Sequence, residues 1–364
     1  MRLTCQQDEF SRALQVVARG IAQRSTLPIL SGILLFAESG KLWARSTDLE
    51  ISIECVLPAE VNTPGSVVVS GKTLMEFVRR LSPGQLEVSQ DEVAKNIRVD
   101  SAKANIQLPV MPTEEFPSLP APSDGIEFRI TNAKLREMIR QTIYATIAED
   151  SRPFLSSLLW EVERNRLSLV ATDINRLSLR QTEIDANGSV KVLIPVRAMR
   201  EITGVFTGDS EDGVVVLIGS KQVFFSGSGV TFASRLVEAE FPQYEQVIPK
   251  SFIGEMVIGR EALAAGLERT SLVTDTVKFT ISGGMLYLRG DDAAAGQTFE
   301  EIGIMATGEE MQIVFSPHYL LDFLKTAGSE RVRFSFTGPT DRVLIRPIDG
   351  DDYQYIVMPY QVNF

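Results

Sequence analysis

Hydrophobic and polar positions in this chain follow two rhythms, one helical and one alternating, and the order of the rhythms recurs. Phe10, Leu14, Val17 and Ile21 fall on one side of a helix, with Arg12, Gln15, Arg19 and Gln23 opposite them, after a short opening strand. Past the turn at Leu27-Pro28-Ile29-Leu30, alternation predicts strands over 32–37, 41–46, 49–57 and 66–70. A second helix over 72–81 packs Leu74, Phe77, Val78 and Leu81 and leaves Lys72 and Arg79 outside. Strands over 85–89, 96–100 and 104–108 complete the unit, and the proline-rich stretch 109–122 reads as a linker.

The same order returns. Leu135, Met138, Ile139 and Thr142 form the inner stripe of the next helix, with Arg136, Arg140 and Tyr144 pointing away; Met199, Ile202 and Phe206 pack its companion, with Arg197 and Arg200 outside. Thr47-Asp48-Leu49-Glu50-Ile51-Ser52 reappears as Thr172-Asp173-Ile174-Asn175-Arg176-Leu177-Ser178, so Asp173 lies 125 residues after Asp48. Glu115-Phe116-Pro117 and Glu240-Phe241-Pro242 share that offset. A fainter third copy runs from Met256-Val257-Ile258 through a helix over 260–270 that packs Leu263, Leu267 and Thr270, then strands over 285–289 and 332–336, with a shorter helix over 319–326. The period far exceeds the roughly 20–50 residues of solenoid repeats, so the copies are whole domains. The expected organisation is α+β, with three tandem domains at 1–122, 123–250 and 251–364.

Composition narrows the class. At 364 residues, 44% hydrophobic and 23% charged, the chain reads as soluble and globular. No apolar run approaches the roughly 18 residues needed to cross a bilayer, and Met1 to Asp8 lacks a signal-peptide core, so a cytoplasmic protein without membrane association is expected. Cys5 and Cys55 sit in strand-like apolar contexts and read as buried thiols, neither disulfide nor metal ligands. The net charge of −11 argues against nucleic acid on average, yet basic outward helix faces recur at matching positions in the first two copies. The third copy, with Glu261 and Glu268 outward, is less basic. Aligned on one surface, such helices would offer Arg and Lys to a polyanion while the strands build an acidic back.

Taken in order, the threefold pattern with Arg24-Ser25-Thr26-Leu27-Pro28-Ile29-Leu30, Thr47-Asp48-Leu49-Glu50, Ala171-Thr172-Asp173, Phe241-Pro242 and Tyr355-Ile356-Val357-Met358-Pro359 closely resembles the bacterial DNA polymerase III beta subunit, the sliding clamp, over the full chain. The resemblance implies a head-to-tail homodimer of three-domain chains closing a ring around duplex DNA, with helices lining the hole and sheets outside. It implies contacts to double-stranded DNA, independent of sequence, from Arg24, Lys72, Arg136, Arg140, Arg152, Phe154 and Arg197, of which Phe154 also reads as a packing residue. It further implies a hydrophobic pocket between the second and third domains that captures short peptides from DNA polymerase III alpha, clamp loader subunits, other polymerases and repair proteins. Matching positions are Leu155, Thr172, Arg176, Leu177, Pro242, Val247, Ile356, Val357, Met358 and Pro359. No cofactor, metal or catalytic residue is implied.

Ile174 and Asn175 stand where the family usually has Gly-His, and the tail after Met358-Pro359 runs through Tyr360 to Phe364. A β-branched Ile is expected to exclude positive φ there and to alter the pocket wall, shifting peptide preference or reducing sensitivity to pocket-directed ligands. The stretch 356–362 reads at the same time as a terminal strand. Two other readings are carried. Asp48, Glu50 and Glu54 share a strand face and Asp291-Asp292 form a second acidic cluster, either of which could hold Mg²⁺ for a nuclease. Against this, the only histidine is His318, no Gly-rich phosphate loop is present, and Gly283-Gly284 reads as a hairpin turn, so solvated strand faces are the preferred account. The other reading is a diverged second clamp, acting as a peptide-binding hub or a drug-tolerant stand-in.

Overall fold

In the first copy β1 (Arg2–Gln6) runs into α1 (Gln7–Val17), then β2 (Gly32–Glu38), β3 (Lys41–Thr47), β4 (Ile51–Pro58) and β5 (Glu60–Thr63) follow. β6 (Gly65–Ser70), α2 (Gly71–Arg79), β7 (Gln85–Asp91), β8 (Asn96–Asp100) and β9 (Asn105–Met111) close it. The second copy has β10 (Ile126–Ile130), α3 (Asn132–Thr142), β11 (Ser157–Glu163), β12 (Arg166–Thr172), β13 (Arg176–Glu183) and β14 (Val190–Pro195). It ends with α4 (Val196–Val205), β15 (Val214–Ile218), β16 (Gln222–Gly227) and β17 (Val230–Arg235). In the third come β18 (Gly254–Gly259), α5 (Arg260–Thr270), β19 (Val277–Ser282), β20 (Met285–Asp292), β21 (Gly296–Gly303) and β22 (Met305–Thr307). β23 (Met311–Phe315), α6 (Pro317–Thr326), β24 (Arg331–Phe336), β25 (Val343–Pro347) and β26 (Tyr353–Val357) complete the chain. This computed structural model describes residues 1–22, 25–122, 124–148, 151–208 and 213–360.

Four details differ from the sequence expectation. β5 is additional, a short and largely exposed strand that alternation over four residues does not announce. The segment after Pro109 is not linker from its start, because Val110 and Met111 pair with Val69 and Val68 of β6. β4 begins at Ile51, since Asp48 to Glu50 are consumed by a turn. The terminal strand stops at Val357: Pro359 has no N–H to give a ladder, and the Tyr360 amide turns instead to the Val314 carbonyl at 2.8 Å. Residues 361–362 of the expected strand lie outside the described residues. Gly283 and Gly284 do form the expected hairpin, both at positive φ, as a two-residue loop between Ser282 and Met285 requires.

Two compact units carry these elements: Met1–Ala133 with Arg197–Leu236, and Lys134–Val196 with Val237–Phe364. Each is built by strand pairing between neighbouring copies. In the first unit β17 of copy two pairs with β4 of copy one, Phe232 opposite Ile53, inside a thirteen-stranded sheet ordered β10-β15-β16-β17-β4-β3-β2-β6-β9-β8-β7-β1-β5. In the second unit β26 of copy three pairs with β13 of copy two, Leu177 opposite Ile356, inside the nine-stranded sheet β14-β11-β12-β13-β26-β25-β24-β18-β22. A separate sheet, β21-β20-β19-β23, belongs to copy three. The junctions obey one rule: the strand after the Thr-Asp turn receives the last strand of the next copy.

Most of the predicted helix stripes are buried, but α2 ends at Arg79 and leaves Phe77 and Leu81 half-buried, and Tyr144, expected to point away, packs against the core of copy three. Phe10, Leu14 and Val17 on α1, Leu74 and Val78 on α2, Leu135, Met138 and Ile139 on α3, Met199 and Ile202 on α4, and Leu263 and Leu267 on α5 are each fully buried, contributing about 1.5–3 kcal/mol apiece for the larger side chains. α1 stops at Val17, so Ile21 reaches the core edge from a turn and stays half-buried. No helix among the described residues is long and apolar enough to cross a membrane.

Both cysteines are free and buried. Burial pushes the Cys5 thiol up to about 12 and the Cys55 thiol to about 11. Raised pKa values favour the protonated thiol in the fold, so this contribution to stability is intact below the unfolded value near 9 and is lost as pH rises through 11 and 12. Neither thiol should react with a disulfide reagent at pH 8 until urea unfolds the chain; rapid native labelling at either cysteine would contradict this burial.

Candidate functional site

The Thr-Asp repeat is a turn-building device. Thr172 Oγ accepts the Ile174 N–H at 3.2 Å and donates to the Arg176 carbonyl at 2.7 Å, while Asp173 Oδ1 accepts the Asn175 and Arg176 amides at 3.1 and 3.0 Å. Thr47 and Asp48 make the same four bonds to Leu49, Ile51 and Glu50, at 2.8 to 3.0 Å. A two-residue loop is thereby closed between Asp173 and Arg176, and likewise between Asp48 and Ile51, with φ positive at its first residue: +83° at Ile174 and +79° at Leu49. Positive φ at Ile174 is the reverse of what its β-branched side chain led the sequence reading to expect. Four side-chain bonds and the closing ladder outweigh a local cost of about 1–3 kcal/mol. Ile174→Gly should therefore stabilise the second unit by roughly 0.5–1 kcal/mol, the strain relief exceeding glycine's added unfolded-state entropy; a lower urea midpoint for the variant would count against it.

Beside this turn, the rung Leu177–Ile356 lies over an apolar cluster of Leu159, Val170, Leu179, Leu193, Phe241, Tyr244 and Leu344, with Phe154, Val237, Val247, Ile248 and Phe252 packed at its margin. The structure thus brings Leu177, Ile356 and Val247 together. Val357 points elsewhere: strand alternation sends it, with Tyr353 and Tyr355, into the core of copy three, fully buried. Leu155 is also fully buried, below any accessible surface, with its amide bonded to the Arg152 carbonyl. Pro359 is buried, Thr172 half-buried, and Asn175 and Pro242 are exposed. Met358 is exposed, and its amide bonds the Asn175 carbonyl at 2.8 Å.

Several contributors escaped the sequence reading. Phe241 and Tyr244 pack edge to face at 6.4 Å, and the Tyr244 hydroxyl donates to Glu161 Oε2 at 2.6 Å; burial, then that carboxylate, raises its pKa. Arg342 donates to the Gln246 and Val247 carbonyls, at 3.2 and 3.0 Å, and so fixes the segment that carries Val247. The recurring Glu-Phe-Pro motif marked Phe241, but nothing local in the sequence tied Arg342 to residues about 95 positions earlier.

Arg176, implied as a pocket residue, is 8% exposed and wholly engaged within the protein. Its guanidinium bonds Asp173 Oδ2 at 2.8 Å, Asp322 Oδ2 of α6 at 2.7 Å and the Tyr144 carbonyl at 2.7 Å, and lies over the Tyr319 ring at 4.3 Å. It ties the turn of copy two to the helix of copy three. Behind it the Tyr144 hydroxyl meets those of Tyr353 at 2.8 Å and Ser178 at 3.2 Å.

Of the residues proposed to face DNA, Arg24 lies outside the described residues. Lys72 is exposed in the first turn of α2; Arg140 is exposed and Arg136 half-buried on α3; Arg152 is exposed ahead of the 3₁₀ turn 153–156. Arg197, at the start of α4, is half-exposed and ion-paired with Asp48. Phe154 packs edge to face against Phe241 at 6.0 Å, the alternative its sequence context allowed. The acidic clusters are committed to structure: Asp48 holds its turn and Arg197, Glu54 pairs with Arg45, and Asp292 caps the amides of Ala294 and Ala295. Among the described residues, no group of three or more His, Cys, Asp or Glu side chains is placed to hold a metal ion.

Comparison with known proteins accounts for the threefold domain order and the fold. Family models of the DNA polymerase III beta subunit match in succession, the N-terminal domain over residues 1–120, the central domain over 129–243 and the C-terminal domain over 245–361. The beta sliding clamp of Pseudomonas aeruginosa is 29% identical over 370 residues, covering all of both chains, and that of Bacillus subtilis is 29% identical with 99% of each covered. Crystal structures of the DNA polymerase III beta subunit from Pseudomonas aeruginosa and from Thermotoga maritima superpose with TM-scores of 0.95 and 0.93, each at 28% identity over the full length of both chains. The chain belongs to the DNA polymerase III beta subunit family.

Proposed function

We propose that the chain works in the cytoplasm as a DNA sliding clamp: two copies close head to tail into a ring that encircles duplex DNA and tethers DNA polymerase III for processive synthesis. The observation that carries this reading is the junction rule. β4 receives β17 and β13 receives β26, but β21, the corresponding strand of copy three, has β20 as its one neighbour among the described residues. β9, the last strand of copy one, has an outer edge engaged by β6 only at Val110 and Met111. Two free edges of matching kind on one chain are satisfied when a second copy closes against the first.

A ring removes the charge difficulty. A topologically linked protein needs contacts weak enough to slide, and Lys72, Arg136, Arg140, Arg152 and Arg197, with Arg24, supply a modest basic lining on a chain of net charge −11. The acidic exterior disfavours DNA outside the hole. The Leu177–Ile356–Val247 groove, bordered by Thr172, Ile174, Asn175, Pro242 and Met358, docks apolar anchors of short peptides from polymerase alpha, the clamp loader and repair proteins.

The test is topological. Loaded onto nicked circular DNA by a clamp loader with ATP, the protein should stay bound until the circle is linearised and then run off the ends. Retention on linear DNA, or loading onto DNA too small to thread a ring, would sink the reading.

A further inference from the structure

Asp48 and Asp173 hold equivalent turns but are neutralised differently. Asp173 takes its counter-charge from its own turn, where Arg176 Nε donates to Oδ2 at 2.8 Å. Three residues after Asp48 the chain has Ile51, buried and uncharged, so copy one brings no cation to the same place. The Asp48 side chain is nonetheless only 5% exposed, with Oδ1 occupied by the Glu50 and Ile51 amides, and a carboxylate this buried needs a cation. Arg197, in the first turn of α4, supplies it from copy two within the same unit. The two arginines differ in what else they touch. Arg176 is engaged on every side, whereas the Arg197 side chain is 53% exposed and its contact with Asp48 Oδ2 is a close ion pair without hydrogen-bond alignment. One turn along α4, Glu201 holds Arg19 of α1 at 3.0 Å, so a second exposed cation of this unit is already matched to a carboxylate.

Resting on the DNA-facing role assigned to Arg197, we propose that Asp48 is a positioning residue that restrains this arginine and weakens its contact with DNA. Tied to Asp48, Arg197 presents a phosphate with a nearly neutral pair in place of a full charge. A phosphate gains the guanidinium only by drawing it off a buried carboxylate oxygen that water does not reach. The exposed half of Arg197 keeps that exchange open, so the contact is weakened and not abolished. The position also suits a paired cation better than a free one, because the positive end of the α4 backbone dipole lies at its first turn. A ring that must slide is served by a cation that never adds the full grip of an unpaired arginine.

Asp48→Asn tests it, because asparagine keeps an oxygen for the Glu50 and Ile51 amides and loses only the charge that holds Arg197. Fluorescence polarisation of a short dye-labelled duplex on the full-length protein, across a salt series, compares the unaltered chain, Asp48→Asn, Arg197→Gln and the double variant. Freed, Arg197 should add one phosphate contact: Asp48→Asn should bind about fivefold more tightly at low salt, with the slope of log affinity against log salt steeper by about 0.9. In the Arg197→Gln background the same substitution should change affinity by less than about twofold and leave the slope alone. An equal gain in both backgrounds would mean that Asp48 acts only through its own charge, and no gain in either that it does not restrain Arg197; each overturns the proposal. If Asp48→Asn lowers the urea midpoint of the first unit, Asp48→Ser, whose hydroxyl also accepts those amides, takes its place in the cycle. Failure of the DNA role reads differently: none of the four chains would bind the duplex at any salt, and both readings would fall together.

Discussion

Arg176→Ala is expected to lower the unfolding free energy of the second unit by about 3–5 kcal/mol, the largest effect of any single truncation near the groove. The guanidinium is buried, and removing it strands the Asp173 carboxylate, 9% exposed, together with the Tyr144 carbonyl in a site that excludes water. Asp173 would retain its two amide donors but lose its counter-charge. Asp322→Asn should cost far less, about 1 kcal/mol or under, because that carboxylate is 41% exposed and water can replace the lost charge. Arg176→Lys should rescue little, since one ammonium cannot reach three acceptors set around a planar fork. Trp43 and Trp160 lie in different units, so in a Trp43→Phe background urea unfolding followed through the fully buried Trp160 reports the second unit alone. A loss below about 1 kcal/mol for Arg176→Ala would show that the network is not a strut.

Legibility in the sequence tracked locality. The helix stripes were readable because their cause is local helical spacing, whereas the Thr-Asp segments, read as the starts of strands, turned out to be turns closed by side chain to backbone bonds. Burial partners set by strand register were not readable. Val357 and Ile356 are both apolar and adjacent, and only the pairing with β13 decides that Ile356 faces the groove and Val357 the core of copy three. Arg176 was assigned to the pocket by resemblance, and its burial was not legible because its acceptors, Asp322 and the Tyr144 carbonyl, are 146 and 32 positions away. The backbone at Ile174 went against side-chain propensity for a similar reason: the turn is imposed by Thr172, Asp173 and the paired strands, and the residue at its tip adapts. Leu49 adopts the same φ in the first copy, which marks the conformation as a property of the repeat and leaves only the side chain at 174 to vary with function.

Replacing Leu272 and Phe299 together by Asp should convert the protein in solution from twice to once its chain mass of 40.2 kDa. β21 is an eight-residue edge strand with every second residue or more exposed, the kind of edge that proteins ordinarily cover or blunt. Phe299 stands on it at 55% exposure, stacked on Tyr287 with centroids 6.0 Å apart. Leu272, 83% exposed, follows α5 just after Arg269, whose guanidinium binds Glu300 of the same strand. Both side chains stay more than half exposed within one chain, and in the proposed ring they would stand beside an unpaired ladder as apolar anchors for a second copy's β9. Two anchors at about 2 kcal/mol each weaken the association by roughly a thousandfold, enough to dissociate the pair at micromolar concentration. Because both are exposed, the urea midpoints of the two units should barely move, which separates loss of assembly from loss of fold. An unaltered chain that is monomeric at high concentration, or a doubly substituted chain that stays dimeric, would remove the junction rule from the ring. If the rule holds, the contact that closes the ring is the same strand pairing that joins the copies within each chain.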